Sequence, residues 1–319
     1  MKQRWVFYHS TDLPKTEGRT ANVYYEPIAR ALEQLGHSAK IVAPRTSAEG
    51  QDAALYLPFS HEDAFRRWAE LEMPEVVCVW TCKPSDMSLA QHLRGYGITV
   101  IFAELGWVPQ SHSIYFDERG TGTFSSLVTF TPPAAEATVK LPLVHIRQWM
   151  GEPEHTGVLL QMESDWNMIT GPWRSNGDFL AMLLELWPRE KFLVRPHPNQ
   201  QDVALPVCDR IELARDGSLH DWFDRCKVVA GMNSTALVEA LFTNLPVYQL
   251  APGIGHKSGA FITNPEIPPD EARARGEWRQ LQRRNLLVEL CHYRQIDIRH
   301  ADQEALVRNR VLGKILARS

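Results

Sequence analysis

Four short polar stretches stand where apolar runs end, and their residue types suit chemistry. The first is Asn233-Ser234-Thr235. It follows the apolar run Val228-Val229-Ala230 and Gly231, and precedes a helical pattern from Ala236 to Thr243 that Asn244 and Pro246 stop. Val247-Tyr248-Gln249-Leu250 is extended again, so the unit reads as strand, turn, helix, strand. A helix start leaves backbone N–H groups free and carries partial positive charge, so hydroxyl side chains there suit a phosphate. The same residues are ordinary helix caps, worth about 1 kcal/mol, and both readings stand. No GxGxxG follows the first strand and no GxxxxGK[ST] occurs, which excludes a dinucleotide fingerprint and a P-loop as the explanation.

The second stretch is Arg195-Pro196-His197-Pro198, after the buried-strand pattern Phe192–Val194. Two prolines restrict the backbone around His197 and keep the loop from becoming helix. His197 is a candidate phosphate ligand or acid/base group, or else a surface histidine without a role. The third is Gln161-Met162-Glu163-Ser164-Asp165, running out of an apolar strand, where paired acids are either functional or solvated. The fourth is Glu104-Leu105-Gly106. Glu104, at a strand end, suits base chemistry or a sugar hydroxyl, or is solvated or bonded to backbone.

These residues need elements to hold them. The 319 residues suit two domains, and 44% hydrophobic content supplies their cores. A net charge of −4 gives no global attraction to nucleic acid or anionic membrane. Cys78, Cys82, Cys208, Cys226 and Cys291 are scattered and odd in number, without zinc-like partners nearby, and read as reduced thiols. MKQRWVFYHS leads directly into a strand without a signal-peptide pattern, and no apolar run is long enough to span a bilayer; a cytoplasmic location is the expectation.

In the first half strands alternate with helices: Trp5–Tyr8, a helix over Val23–Leu35 ended by Gly36, a strand over Ala39–Ala43, a helix over Glu62–Glu72, then Val76–Trp80, a helix over Ser85–Leu93, and a strand over Thr99–Glu104. That pattern predicts a parallel sheet covered on both faces. It breaks from Trp107 to about Gly151, and a second series starts near Gly157: a strand to Met162, a helix over Asp178–Leu186, a strand over Lys191–Arg195 and a helix over Leu219–Cys226. The expected domains are 1–152 and 153–319, with the boundary between Gly151 and Gly157. Two doubly wound domains would face a central cleft, with ligands at the carboxyl ends of their strands.

Taken in order, these elements resemble a GT-B glycosyltransferase, an α/β fold of two Rossmann-like domains. The resemblance is closer to retaining β-Kdo transferases of bacterial capsule and lipopolysaccharide assembly, which show an acid-glycine element, a Q-x-E-x-D element, a basic-Pro-His-Pro element and a Ser/Thr helix start in that order. The segment after Glu104 is more similar to glycosyltransferases of phage and environmental genomes, some of which decorate hydroxymethylated DNA. The resemblance implies an acceptor-side domain 1–152, a nucleotide-sugar-binding domain 153–319 and a C-terminal helix, Gln303 to Leu316, crossing back. It implies Glu104 as acid/base, Asp165 as nucleophile and His197 near the donor, with Ser234 and Thr235 holding its phosphate. The expected donor-binding set is Gln161, Arg195, Asn233, Ser234, Thr235, Glu239, His256 and Lys257. No D-x-D stands at a strand end, so a metal-independent transfer is expected, with no cofactor beyond the nucleotide sugar and with His197, Arg195 or Lys257 replacing a cation. The loop Ala251–Gly259, with three glycines, is expected to close over the donor. The expected acceptor is a surface glycan. The alternatives are hydroxymethylated DNA tracked by an arginine-rich tail (Arg273, Arg275, Arg279, Arg283, Arg284), a non-hydrolysing sugar-nucleotide epimerase, and a non-catalytic sugar-binding protein.

Overall fold

The computed structural model describes residues 2–9, 21–44, 56–59, 62–81, 83–132, 139, 141, 153–275 and 280–318. The chain divides into two compact units, one of Met1–Ser126 with Glu289–Ser319 and one of Leu127–Val288. In the first, β1 (Arg4–Tyr8), β2 (Ser38–Pro44), β3 (Tyr56–Phe59), β4 (Val76–Trp80) and β5 (Thr99–Leu105) are parallel, and β6 (Ser113–Asp117) runs antiparallel beside β5. Helices α1 (Ala21–Gln34), α2 (Glu62–Glu72) and α3 (Pro84–Gly95) connect them. Along β1 the side chains alternate between two cores. Trp5 and Phe7 join Tyr25, Ile28 and Leu32 of α1, while Val6 and Tyr8 join Phe65 of α2 and Leu89 and Leu93 of α3. A strand buried on both faces needs this continuous apolar run.

The second unit holds β7 (His155–Leu159), β8 (Lys191–Arg195), β9 (Ile211–Leu213), β10 (Cys226–Gly231) and β11 (Val247–Gln249), all parallel in the order β11-β10-β7-β8-β9. Its helices are α4 (Trp166–Ile169), α5 (Asn176–Leu186), α6 (Leu219–Phe223), α7 (Thr235–Ala240), α8 (Pro269–Ala274) and α9 (Gln280–Val288). Phe179, Leu180 and Leu183 of α5 pack with Phe192, Val194, Val158 and Tyr248 from the sheet. At Gly157 a Cβ would lie 2.5 Å from Cys226 Sγ and 2.7 Å from the Trp222 ring, so only glycine lets α6 lie this close to the sheet.

Two expectations need correction. The division falls at Ser126/Leu127 rather than between Gly151 and Gly157. The reason is local: the Gly255 and Lys257 N–H groups donate to the carbonyls of Leu127 and Val128, so the chain joins the second unit before its sheet begins. The tail, mostly helical, also contributes a strand. After a π-helical turn, Glu289–Arg294, it forms β12 (Gln295–Asp297), antiparallel to β6 at the edge of a sheet that is seven-stranded among the described residues. The single helix expected over Gln303–Leu316 is two, α10 (Gln303–Arg308) and α11 (Leu312–Leu316). Buried Asn309 separates them, accepting from the Val311 and Leu312 N–H groups and donating to the Arg294 carbonyl.

Candidate functional site

In the second sheet the chain leaves β7 in one direction, through β8 to β9, and returns on its other side as β10 and β11. Connections from β7 and β10 therefore diverge, and a crevice opens at their carboxyl ends; ligands of open α/β sheets bind at such switch points. Gln161 follows β7 and Asn233 follows β10. The Gln161 side-chain amide donates to Asn233 Oδ1 at 2.6 Å, closing a bond across the reversal. Gln161 lies past the strand, which ends at Leu159 rather than Met162. Asn176, fully buried, holds it by accepting from the Gln161 N–H at 3.1 Å and donating to its carbonyl at 2.8 Å. Asn233 in turn donates to the Pro252 carbonyl at 2.9 Å.

Ser234 is the N-cap of α7, accepting from the Ala236 N–H at 3.2 Å, and Thr235 opens the helix. The capping role is therefore real. It leaves the Ser234 hydroxyl proton and the Thr235 side chain half-buried beside the crevice. One turn on, burial raises the Glu239 pKa to about 7. Thr235 and Glu239 are four residues apart and share a helix face.

The Q-x-E-x-D stretch is a scaffold as well as a candidate site. Glu163 accepts from the Asn176 N–H at 2.9 Å, and its own N–H donates to Gln200 Oε1 at 2.7 Å. Asp165 is the N-cap of α4, accepting from the Asn167 N–H on Oδ1 at 2.8 Å. The Gln200 bond ties this loop to the β8 loop that carries His197. His197 is half-buried and Nδ1 accepts from the Asn199 N–H at 3.2 Å. A backbone amide only donates, so the neutral ring carries its proton on Nε2. Burial lowers the His197 pKa, and the negative charge of Asp165 acts in the opposite direction.

Other expected donor-binding residues differ. Arg195 reaches away from this network and donates to the Gly217 carbonyl at 2.8 Å, while its Nη1 is buried without a partner. Its position on β8, with Lys191 and Leu193, turns it toward the α6 side. His256 bonds through Nδ1 to Gln249 Oε1 at 3.1 Å, and burial followed by the charge of Lys257 lowers its pKa. Lys257 is exposed. The loop from Ala251 to Gly259 is not a free flap: Ala251, Gly253, Ile254, Gly255 and Ser258 are buried, and the bonds to Leu127 and Val128 pin it. Asn176 and Gln249 escaped the sequence reading, the first because Ser175-Asn176 looks like a plain helix start. A glutamine inside the apolar run Val247–Leu250 was the available signal for the second.

In the first unit Glu104 lies within β5, opposite Tyr115 of β6. The Tyr115 hydroxyl donates to Glu104 Oε2 at 3.3 Å, and burial, then the Glu104 charge, raises the tyrosine pKa. The following loop is held from β12: Gln295 Oε1 accepts from the Trp107 and Val108 N–H groups, and its Nε2 donates to the Val108 carbonyl at 2.6 Å. A Cβ at Gly106 would lie 2.5 Å from Ser113 Cβ, so this close approach requires glycine. The described arginines of the tail differ in their surroundings. Arg283 is buried and donates to the Thr243 and Leu245 carbonyls, Arg275 pairs with Glu271, Arg284 donates to the Val139 carbonyl, and Arg279 lies outside the described residues. Burial lowers the Arg283 pKa to about 10.

The chain superposes on the β-Kdo 2,7 transferase KpsC of Thermosulfurimonas dismutans with a TM-score of 0.52, at 14% identity, over 94% of this chain and 95% of that one. The chain has the GT-B fold. The β-Kdo 2,4 transferase KpsC of the same organism gives 0.50 at 13% identity, over 98% and 97% of the two chains. Neither a protein-family model nor a curated protein sequence matches. Among the described residues of this GT-B chain, no helix is long and apolar enough to cross a membrane, and no group of three or more His, Cys, Asp or Glu side chains is placed to hold a metal.

Proposed function

We propose that this GT-B chain is a glycosyltransferase that moves a sugar from a nucleotide-activated donor to an acceptor hydroxyl of a bacterial surface glycan. The observation that carries the reading is the bond between Gln161 and Asn233 across the switch point, beside the Ser234-Thr235 helix start. A crevice lined by fixed donors suits a leaving phosphate, because those donors need not reorganise as charge develops. Two solved structures of this fold that it resembles are Kdo transferases. In the reaction we propose, Asp165 attacks the anomeric carbon and the nucleotide departs with the bonding electrons, leaving a glycosyl ester on Asp165. The His197 Nε2–H donates a hydrogen bond to the departing phosphate. The acceptor hydroxyl then attacks the same carbon, Glu104 takes its proton, and the Asp165 carboxylate is released. Ser234 and Thr235 bind the phosphate, and Glu239 takes a donor hydroxyl. We read the transfer as metal-independent.

A thermal-shift panel of UDP-, GDP-, dTDP- and CMP-linked sugars tests this directly. A ligand at 100 times its Kd stabilises the folded state by about 2.7 kcal/mol. One class should raise the melting temperature, and S234A/T235A should lose that rise, beyond the loss of about 1 kcal/mol that the missing Ser234 cap costs the free protein. A panel without any shift, or a double variant that responds like the wild type, would sink the reading.

A further inference from the structure

His256 lies on a loop with both neighbours fixed. The Gly255 N–H donates to the Leu127 carbonyl at 3.0 Å and the Lys257 N–H to the Val128 carbonyl at 3.1 Å, while the His256 N–H donates to the Gly253 carbonyl at 3.0 Å. Its ring is oriented by Gln249, which is buried. The Gln249 amide nitrogen donates to the Ile254 carbonyl at 3.0 Å. A carbonyl only accepts, so the Gln249 NH₂ must face Ile254 and its oxygen must face His256. That oxygen, 3.1 Å from Nδ1, likewise only accepts. Nδ1 therefore carries the proton, and in the neutral ring Nε2 presents a lone pair. His197 has the opposite arrangement, because Asn199 forces its proton onto Nε2.

The two rings thus have complementary chemistry within one unit. The loop bearing His256 begins against the anion-binding turn: Pro252 accepts from Asn233, and a Cβ on Gly253 would lie 2.6 Å from Asn233 Cβ. The His256 ring is half-buried, and no bond to its Nε2 occurs among the described residues. A phosphate cannot satisfy this atom, since phosphate oxygens are acceptors and would oppose its lone pair. The partner must be an O–H or N–H.

We propose that His256 Nε2 is a selectivity element that accepts a hydrogen bond from an O–H or N–H of the donor's nucleoside, with Gln249 as the residue that fixes its tautomer. The inference rests on the nucleotide-donor reading above. A ribose hydroxyl and a base-edge N–H share the required chemistry.

Calorimetric titration tests it with UDP, GDP, dTDP and CMP, and then with the deoxy and base-N-methylated forms of whichever binds. Wild type should lose about tenfold in affinity for one of these deletions, the scale of one hydrogen bond. H256F should lose less than twofold for the same deletion. A ribose deletion coupled to His256 identifies the hydroxyl, and a base deletion identifies the N–H. If every deletion costs both proteins equally, His256 is not the acceptor, although the nucleotide reading survives. If none of the four nucleotides binds wild type, both readings fall. Nitrogen-15 spectra of the unliganded wild type need no variant: His256 should be the Nδ1–H tautomer and His197 the Nε2–H tautomer, and an Nε2–H signal from His256 would overturn the proposal.

Discussion

Asp165 caps α4 and is also the proposed nucleophile, and one substitution separates the two roles. Asparagine caps helices as well as aspartate does but cannot form a glycosyl ester. D165N should therefore unfold within about 0.5 kcal/mol of wild type, while transfer falls by about 10⁴-fold or more. Denaturant titration and a product assay check the two halves. Loss of stability with activity retained would make Asp165 a cap alone. Glu239 makes a different prediction, because burial raises its pKa to about 7. An unfolded chain releases that proton near pH 4.3. Between those values the folded state binds more protons, so unfolding free energy falls as pH rises from about 4 to 7 and is level above. The whole decline amounts to at most about 4 kcal/mol. E239Q should match wild type near pH 4 and exceed it in stability at pH 8. Urea titrations of both proteins at the two pH values should reveal the crossover, and equal pH profiles would contradict it.

At the scale of the element, a single carboxylate organises the turn that leaves β6. Asp117 is fully buried and accepts from the N–H groups of Arg119, Gly120 and Ser126 and from the hydroxyls of Ser125 and Ser126. These bonds gather residues 119–126 over the end of one strand, immediately before the chain joins the second unit at Leu127. An asparagine would turn an NH₂ group toward N–H and O–H donors that now meet carboxylate oxygens. D117N should cost about 1–3 kcal/mol, the range for leaving a buried polar group unsatisfied. Equilibrium unfolding monitored by tryptophan fluorescence would measure this, and a loss below about 0.5 kcal/mol would show the turn to be held by something else.

At the scale of the molecule, the tail belongs to the first unit. Ala305, Leu306, Val311, Leu312 and Ile315 are buried in the same core as Trp5, Tyr25 and Ile28. Fully burying one leucine contributes about 1.5–3 kcal/mol, so the tail supplies a sizeable part of the marginal stability of a domain. A chain stopped after Ala301 should lose the cooperative unfolding of the first unit while the second, formed by Leu127–Val288, keeps its own. Hydrogen exchange followed by mass spectrometry would resolve the two: peptides from β1 and β4 should lose protection and peptides from β7 and β10 should retain it. Uniform loss in both units would refute the assignment.

The sequence alone carried the alternation of strand and helix, because burial on both faces of a parallel sheet demands apolar runs at that period. It therefore yielded β8 at Lys191–Arg195 to the residue, and it marked Gln161, His197 and Asn233 as polar residues at strand ends. It did not yield β12, since three residues inside an arginine-rich tail show no period, and their strand exists only because the β6 edge accepts them. Nor did it separate Arg195, which turns to Gly217, from His197, which stays by Asp165; that choice depends on which side of the sheet a side chain leaves. Arg283 reads in sequence as one arginine of a basic tail, and only packing sends it to the Thr243 and Leu245 carbonyls. The tautomers of His197 and His256 were beyond sequence altogether. A ring proton goes where the neighbouring donor or acceptor requires it, and those neighbours, Asn199 and Gln249, are fixed by the fold.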